Sequence, residues 1–326
     1  MKKPLVGAFA AALLLAGAGA APAVAQDGAA ATPGKAAGSS TFGKALGSST
    51  FGKALGSEVD QVIDQALGQA LGKAKKRPKA VDFAGTVALS NCSGSVVRTP
   101  DAEPGDPALV MSNGHCLEGG MPGPGEVLVD QPSSRTFDLL DASGGEVGTL
   151  KASKLAYGTM TDTDLSLYEL TSTYEEIESE YGIKALELNA EHPKAGTAIT
   201  VVSGYWKRTY SCDIDGFVPT LKEGDWTWKD SVRYTPACKT IGGTSGSPVV
   251  DDATGKVVAV NNTGNESGEE CTVNNPCEVD ENGEVTVRKG INYAQQTYQM
   301  VPCVGAGSKI DLTAEGCGLP KPGAGK

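Results

Sequence analysis

A serine enclosed by glycines constrains this chain more than any other feature of its 326 residues. Residues 242–250 read Gly-Gly-Thr-Ser-Gly-Ser-Pro-Val-Val, so that a proline leads into a short β-branched run. Glycine on both sides lets the backbone form a tight turn with positive φ angles. Such a turn exposes the Ser245 hydroxyl and directs successive backbone N–H groups at one point, as an oxyanion hole requires. Ser245 is therefore the candidate nucleophile. Ser247 is the alternative, but it directly precedes Pro248 and its conformation is restricted.

A histidine and an aspartate lie upstream of this turn. The chain contains two histidines. His115 follows an apolar run over residues 108–111 that predicts a strand end, whereas His192 lies in a turn-like Glu-His-Pro sequence and is predicted to be a surface residue. Asp164 begins an alternation of apolar and polar residues, which predicts a half-buried strand. Asp162 is the alternative acid, and the alternation favours Asp164.

These three residue types together support nucleophilic catalysis. A serine hydroxyl is a weak nucleophile unless an imidazole takes its proton and later returns it to the leaving group. A carboxylate on the far ring nitrogen fixes the tautomer and stabilises the imidazolium. We therefore predict that Ser245 is the nucleophile, His115 the general acid–base and Asp164 the orienting acid. The backbone N–H groups of Gly243 and Ser245 would form the oxyanion hole, and this chemistry needs no metal and no organic cofactor.

The motifs and their order resemble those of secreted bacterial serine endopeptidases of the chymotrypsin-like group, the trypsin superfamily. The order histidine, aspartate, serine is that of the chymotrypsin type. The pair His115-Cys116, the sequence Asp-Leu-Ser-Leu from Asp164 and the sequence Gly-Ile-Asn-Tyr from Gly290 resemble motifs of this family. The sequence around Ser245 is nearest to the glutamyl-endopeptidase-like branch. The resemblance implies two antiparallel six-stranded β-barrels with the active site in the cleft between them.

The resemblance also implies a substrate-binding region. Asn261, Asn262 and Thr263 resemble the strand that binds the substrate backbone and one wall of the pocket, and Gly290 begins the segment that closes the pocket. Trypsin-like members carry an acid six residues before the serine, where this chain has Lys239. The sequence thus argues against a preference for Arg or Lys. Lys239 would instead favour an acidic side chain, but the glutamyl-specific branch has a histidine where this chain has Asn261.

Short β-type runs between turn signals predict an all-β protein. Glycine is frequent, at 43 residues, and aromatic residues make up only 6% of the chain, which fits turns and small side chains. A helical patch over residues 173–181 is predicted to connect the two barrels. The clearest β-type runs are residues 94–97, 126–129, 198–202, 247–250 and 256–260.

Eight cysteines, an even number, predict disulfides. Cys-x-x-Cys spacing is absent, which argues against a zinc site and favours disulfides in an oxidising compartment. The sequence alone does not fix the pairing. The resemblance implies Cys92–Cys116, because family members often tie the histidine loop to the preceding strand. The pairs that proximity then suggests are Cys212–Cys238, Cys271–Cys277 and Cys303–Cys317.

An acidic insertion over residues 266–287 is predicted to lie near the pocket and to narrow or gate it.

The two ends of the chain differ in composition from its middle. Residues 1–25 resemble a secretory signal peptide with a basic start, an apolar run and a small-x-small cleavage site. Residues 26–80 hold a short repeat, one amphipathic helical pattern and a basic run. They are either a removable prosegment or a permanent linker. A trypsin-like serine protease domain is predicted over residues 81–304, and an irregular C-terminal tail over residues 305–326. The protein is thus expected to be secreted and extracellular, with no membrane anchor after cleavage.

Charge narrows the class of partner. The net charge is −11, of which residues 1–80 contribute +6 and the remainder −17. An acidic domain argues against nucleic acid as the partner. The resemblance implies protein or peptide substrates, and we expect a monomer. Two other function classes stay open. One is a protease-fold binding module that has lost activity, and the other is a surface or cell-wall interaction protein that acts through its N-terminal repeats.

Overall fold

The computed structural model describes residues 80–323. The predicted signal peptide and almost all of the predicted prosegment or linker lie outside the described residues. The strands of the first half are β1 (Thr86–Ala88), β2 (Ser93–Arg98), β3 (Pro107–Ser112), β4 (Val127–Pro132), β5 (Thr136–Leu140), β6 (Glu146–Thr159), β7 (Leu165–Thr173) and β8 (Leu186–Glu187). Those of the second half are β9 (Ala198–Ser203), β10 (Arg208–Glu223), β11 (Trp226–Tyr234), β12 (Pro248–Asp251), β13 (Val257–Gly264), β14 (Cys277–Val279), β15 (Val285–Val287) and β16 (Asn292–Gln296). The helices are α1 (Tyr174–Tyr181) and three 3-10 turns, Gly114–Cys116, Tyr298–Cys303 and Ala306–Ser308.

The first barrel is a closed antiparallel ring of six strands. The order is β1-β5-β6-β7-β3-β2, and β2 pairs again with β1 to close the ring. Strand β4 adds to β6 outside the ring, and β8 pairs in parallel with β2. Closure removes the exposed sheet edges that would otherwise invite pairing with another chain. The interior is filled by buried apolar side chains such as Val110, Phe137, Leu139, Leu150 and Tyr168.

The second barrel repeats this plan with different strands. The ring runs β11-β16-β13-β12-β9-β10, and β10 pairs again with β11. Strands β14 and β15 extend the sheet from β10. The interior contains mostly β-branched and aromatic residues, including Val201, Val232, Tyr234, Val249 and Ala294. The prediction of an all-β fold with two antiparallel six-stranded barrels is confirmed.

The two barrels share a third apolar cluster. Successive residues of a strand point to opposite faces. In β3, Val110 therefore packs inside the first barrel, while Leu109 and Met111 pack in the cluster that also contains Val202 and Val260 of the second barrel. The unbroken apolar run of β3 thus follows from burial on both of its faces.

The predicted β-type runs and the helical patch correspond to elements of the structure. The five runs fall within or overlap β2, β4, β9, β12 and β13, and α1 begins one residue after the predicted start. Thr173 caps α1: its Oγ1 accepts from the N–H of Glu176 at 3.2 Å, and Glu176 Oε2 accepts from the N–H of Thr173 at 2.9 Å. None of the helices within residues 80–323 is long and apolar enough to cross a membrane.

Four disulfides join all eight cysteines. The pairs are Cys92–Cys116, Cys212–Cys238, Cys271–Cys277 and Cys303–Cys317, the same pairing that the resemblance and proximity suggested. The last pair joins Cys303, at the end of the Tyr298–Cys303 turn, to Cys317 in the C-terminal segment. The described part of that segment is packed: Leu319 is buried in the inter-barrel cluster, and Tyr157 Oη donates to the carbonyl O of Pro320 at 3.0 Å.

The reciprocal cap of α1 generates a stability prediction. The substitution Thr173→Ala removes the acceptor for a helix N–H, and we expect it to lower the free energy of unfolding by about 1 kcal/mol. Thr173→Ser keeps the hydroxyl and should stay close to the wild type. Urea unfolding of the three proteins measures this. Equal losses for both variants would mean that the methyl group and its packing matter, and not the cap.

Candidate active site

A histidine and an aspartate form a tightly bonded pair at one end of the first barrel. His115 lies in the 3-10 turn after β3, and Asp164 immediately precedes β7. The Nδ1 atom of His115 lies 2.7 Å from Oδ2 of Asp164, and the backbone N–H of His115 donates to Oδ1 at 3.0 Å. Asp164 is fully buried, and its carbonyl O accepts from the Asn113 amide at 2.8 Å. The carboxylate therefore holds both the backbone and the ring of the histidine.

The electrostatics of this pair favour a proton on the imidazole. Burial opposes the positive charge on His115, but the charge and hydrogen bond of Asp164, together with the charge of Glu223, outweigh burial and raise the His115 pKa above its usual value. The ring is one-fifth exposed, so its other nitrogen remains accessible. Because Nδ1 faces the carboxylate, Nε2 is the atom that can exchange a proton with a substrate or a neighbouring group.

Ser245 lies in the turn that the sequence predicted, between β11 and β12. Gly243 and Gly246 both have positive φ angles, of 86° and 80°. The carbonyl O of Ser245 accepts from the N–H of Ser93 in β2 at 2.8 Å, which ties the turn to the first barrel. Ser245 Oγ donates to the carbonyl O of Asn262 at 3.2 Å. Within residues 80–323 it makes no hydrogen bond to His115, although both side chains line one cavity. Such bonds are often long in ligand-free sites and tighten when substrate binds.

The backbone N–H groups of Gly243 and Ser245 have no acceptor within the part of the chain that the structure describes. Trp206, in the turn between β9 and β10, donates from its indole Nε1 to the carbonyl O of Gly242 at 2.7 Å. In a trans peptide the C=O and N–H point in opposite directions. The indole therefore holds the Gly243 N–H turned away from Trp206, where it is free to bind an oxygen.

The cavity between the two barrels has a volume of about 100 Å³. Its lining includes the side chains of His115, Asp164 and Ser245 and the predicted wall residues Asn261, Asn262 and Thr263. The Asn261 amide donates to the carbonyl O and to Oγ1 of Thr244, both at 3.1 Å, so this side chain braces the serine turn. Asn262 lies at a bulge in the β13–β16 pairing, and neither polar atom of its side-chain amide has a partner among the described residues.

Two of the predicted substrate-binding residues lie elsewhere. Lys239 and Gly290 are exposed and do not line this cavity. Their roles stay predictions. The alternatives to the candidate triad also lie apart from it: Asp162 pairs with Lys229 at 2.9 Å, and the buried hydroxyl of Ser247 does not line the cavity. The second histidine, His192, is exposed, as predicted.

Glu223 is the cavity residue that the sequence did not indicate. It ends β10, is 7% exposed, and lines the cavity together with Trp226 and Trp228. Burial raises the pKa of its carboxyl; the Thr263 hydroxyl, the Asn274 N–H and the charge of His115 oppose this shift, and the charge of Asp164 adds to it. No motif marks this residue. The available signal is an acid at a Glu-Gly-Asp turn between two β-type runs, which by itself predicts only a hairpin end.

One group of possible metal ligands occurs among residues 80–323: Cys92, His115 and Cys116. The two sulfur atoms are joined to each other in a disulfide. A metal thiolate requires a free, deprotonated sulfur, so the histidine is the single available ligand of this group.

The sequence profile of the trypsin-like peptidase domain family matches residues 92–260. No curated protein sequence matches the chain. Similar solved structures include the MamO protease domain from Magnetospirillum magneticum, with 13% identity, a TM-score of 0.40, and coverage of 66% of this chain and 92% of that one.

Two further solved structures are distant matches. The thermostable serine protease AL20 from an extremophilic microorganism has 16% identity and a TM-score of 0.38, with 66% of this chain and 91% of that chain covered. The protease Anisep from Arthrobacter nicotinovorans has 16% identity and a TM-score of 0.39, with 68% and 92% covered. The glutamyl-endopeptidase-like branch is not singled out by these comparisons.

The electrostatics of the pair generate a prediction for the His115 ring. We expect its pKa to lie above the usual value in the wild type and to fall below it in Asp164→Asn, because burial, the largest effect, is then opposed only by the weaker charge effect of Glu223. The two histidines make proton NMR titration practical, with His192 as the internal reference and His192→Gln to assign the signals. A His115 pKa that is the same in both proteins would contradict the pairing.

Proposed function

Because the chain belongs to the trypsin-like peptidase domain family, we propose that it is a secreted serine endopeptidase with Ser245, His115 and Asp164 as its catalytic triad. The observation that carries the proposal is the 2.7 Å contact between His115 Nδ1 and the buried Asp164, at the cavity that Ser245 also lines. A fixed tautomer leaves His115 Nε2 as the base. The substrates are proteins or peptides.

The first half of the reaction forms an acyl-enzyme. Ser245 Oγ attacks the carbonyl carbon of the scissile peptide bond while its proton passes to His115 Nε2. The carbonyl π electrons move to the oxygen, and the N–H groups of Gly243 and Ser245 stabilise the oxyanion. The Asp164 carboxylate stabilises the imidazolium. The intermediate collapses by breaking the C–N bond, and the leaving amine takes the proton from His115.

Water completes the reaction by the same route. His115 takes a proton from the water, the resulting hydroxide adds to the acyl carbon, and the second oxyanion occupies the same site. Collapse breaks the ester bond and returns the proton to Ser245 Oγ. The triad thus ends in its starting state, and the peptide bond is hydrolysed.

An extracellular location is part of the proposal. Four disulfides within residues 80–323 support it, because such bonds persist in oxidising surroundings. The signal-like composition of residues 1–25 supports it independently. We further propose that the protein acts as a monomer.

Covalent labelling tests the nucleophile. We expect a fluorophosphonate probe to label Ser245 in the secreted protein, as located by peptide mapping, and to leave Ser245→Ala unlabelled. Ser247→Ala is the matched control and should label like the wild type. We expect kcat to fall by about 10⁶-fold in Ser245→Ala and by about 10⁴-fold in Asp164→Asn. A folded, trimmed protein that takes no label would favour the inactive binding module instead.

The indole bond to Gly242 generates a separate prediction. Trp206→Phe keeps a ring but removes the donor, so the Gly242–Gly243 peptide loses its orientation. We expect kcat to fall by about 10- to 100-fold, less than the loss of an oxyanion donor itself, with KM nearly unchanged. A peptide boronate, which mimics the tetrahedral intermediate, should lose affinity by the same factor. Tyr205→Phe is the control, and an equal loss there would assign the effect to the hairpin as a whole.

A further inference from the structure

The Glu223 carboxyl is only partly satisfied inside the cavity. Its Oε1 accepts from the backbone N–H of Asn274 at 2.8 Å, whereas Oε2 has no hydrogen-bond partner among the described residues. The Thr263 hydroxyl lies close enough to lower the pKa of this carboxyl, but it does not form a hydrogen bond with Oε2. Buried polar atoms in proteins are nearly always paired, so a buried orphan oxygen on a residue that lines a cavity points to a partner supplied from outside.

The position of this carboxyl is fixed by its surroundings. Lys222, the preceding residue, pairs with Cys277 of β14, and the N–H of Gly224 donates to the carbonyl O of Cys271 at 2.7 Å. The disulfide-closed loop from Cys271 to Cys277 thus holds the end of β10 on both sides of Glu223. The insertion that was predicted to lie near the pocket is therefore fixed against the end of β10. Its residue Asn274 donates to one carboxyl oxygen of Glu223, and the other oxygen has no hydrogen-bond partner among the described residues.

The charges around the cavity select the kind of partner. Glu223, Asp164 and the exposed Glu266 all line it, whereas no Lys or Arg of the described residues does. His115 is the one lining residue that can carry a positive charge, and Asp164 already pairs with it. A positively charged group is the ligand that a fixed, desolvated carboxylate binds best.

We propose that Glu223 is a specificity-determining residue that binds the positively charged side chain of a Lys or Arg in the substrate. The inference rests on the proposed function for its link to cleavage. It reverses the expectation from Lys239, whose exposed side chain lies outside the cavity. The acid comes from the end of β10 and not from the position six residues before Ser245.

Peptide binding without cleavage tests the site itself. In a Ser245→Ala background, calorimetry compares blocked peptides that carry Lys or its uncharged isostere norleucine at each position before the scissile bond. We expect one position where Lys binds about 10- to 100-fold more tightly than norleucine. Glu223→Gln should abolish the difference, while Glu266→Gln, which removes an exposed charge of the same cavity, should keep most of it. No Lys preference, or one that survives Glu223→Gln, would overturn the proposal and leave a carboxyl satisfied by water.

Cleavage by the protein with Ser245 intact separates the two proposals. The assay is run at a pH above which the wild-type rate no longer rises. There, kcat/KM should be higher for the Lys peptide than for the norleucine peptide. Glu223→Gln should abolish this preference and leave kcat/KM for the norleucine peptides nearly unchanged. Hydrolysis without Lys preference supports the protease and overturns the role of Glu223. Lys-dependent binding with no hydrolysis and no fluorophosphonate label supports the cation site and overturns the protease. Thermal unfolding of each variant shows that it is folded.

Discussion

The structure of the site depends on one buried charge, the Asp164 carboxylate. A buried carboxylate without partners would cost several kcal/mol, so its two oxygen atoms must find donors. Both donors come from His115, 49 residues earlier in the chain. The pairing of β3 with β7 brings them together: Ser112 lies opposite Ser166, so the turn that carries His115, just after β3, lies beside Asp164, which immediately precedes β7. The histidine is thus placed by this strand pairing and then held by the charge.

The Ser245 turn belongs to the second barrel but is fixed by the first. Ser93, fully buried in β2, donates its N–H to the carbonyl O of Ser245 at 2.8 Å and its hydroxyl to the carbonyl O of Gly243 at 3.2 Å. The same hydroxyl accepts from the N–H of Tyr205 at 3.1 Å, which positions the hairpin that carries Trp206. One serine therefore orders the turn and the hairpin together. Because Ser93 joins the two barrels, the position of the Ser245 turn depends on how the barrels are placed relative to each other.

The sequence predicted those features that local pattern determines. Alternating and β-branched runs identified the strands because side chains in a strand alternate between faces, and flanking glycines identified the Ser245 turn. It could not predict Glu223, Ser93 or Trp206, whose surroundings are created by packing between segments distant in the chain. For Lys239 the sequence supplied only a position six residues before Ser245; the side chain is exposed and does not line the cavity, and its predicted role stays a prediction.

If both proposals hold, substrate recognition and the strength of the base are coupled through Glu223. Its negative charge helps to raise the His115 pKa, and a protonated imidazole cannot accept the serine proton. A cationic substrate side chain bound at Glu223 would offset that charge, because opposite charges in a poorly solvated cavity neutralise each other's field. The His115 pKa would then fall toward its usual value, and more of the ring would be neutral at a given pH. The two proposals together therefore predict that a cationic substrate side chain at Glu223 lowers the His115 pKa and so favours the neutral imidazole that accepts the serine proton.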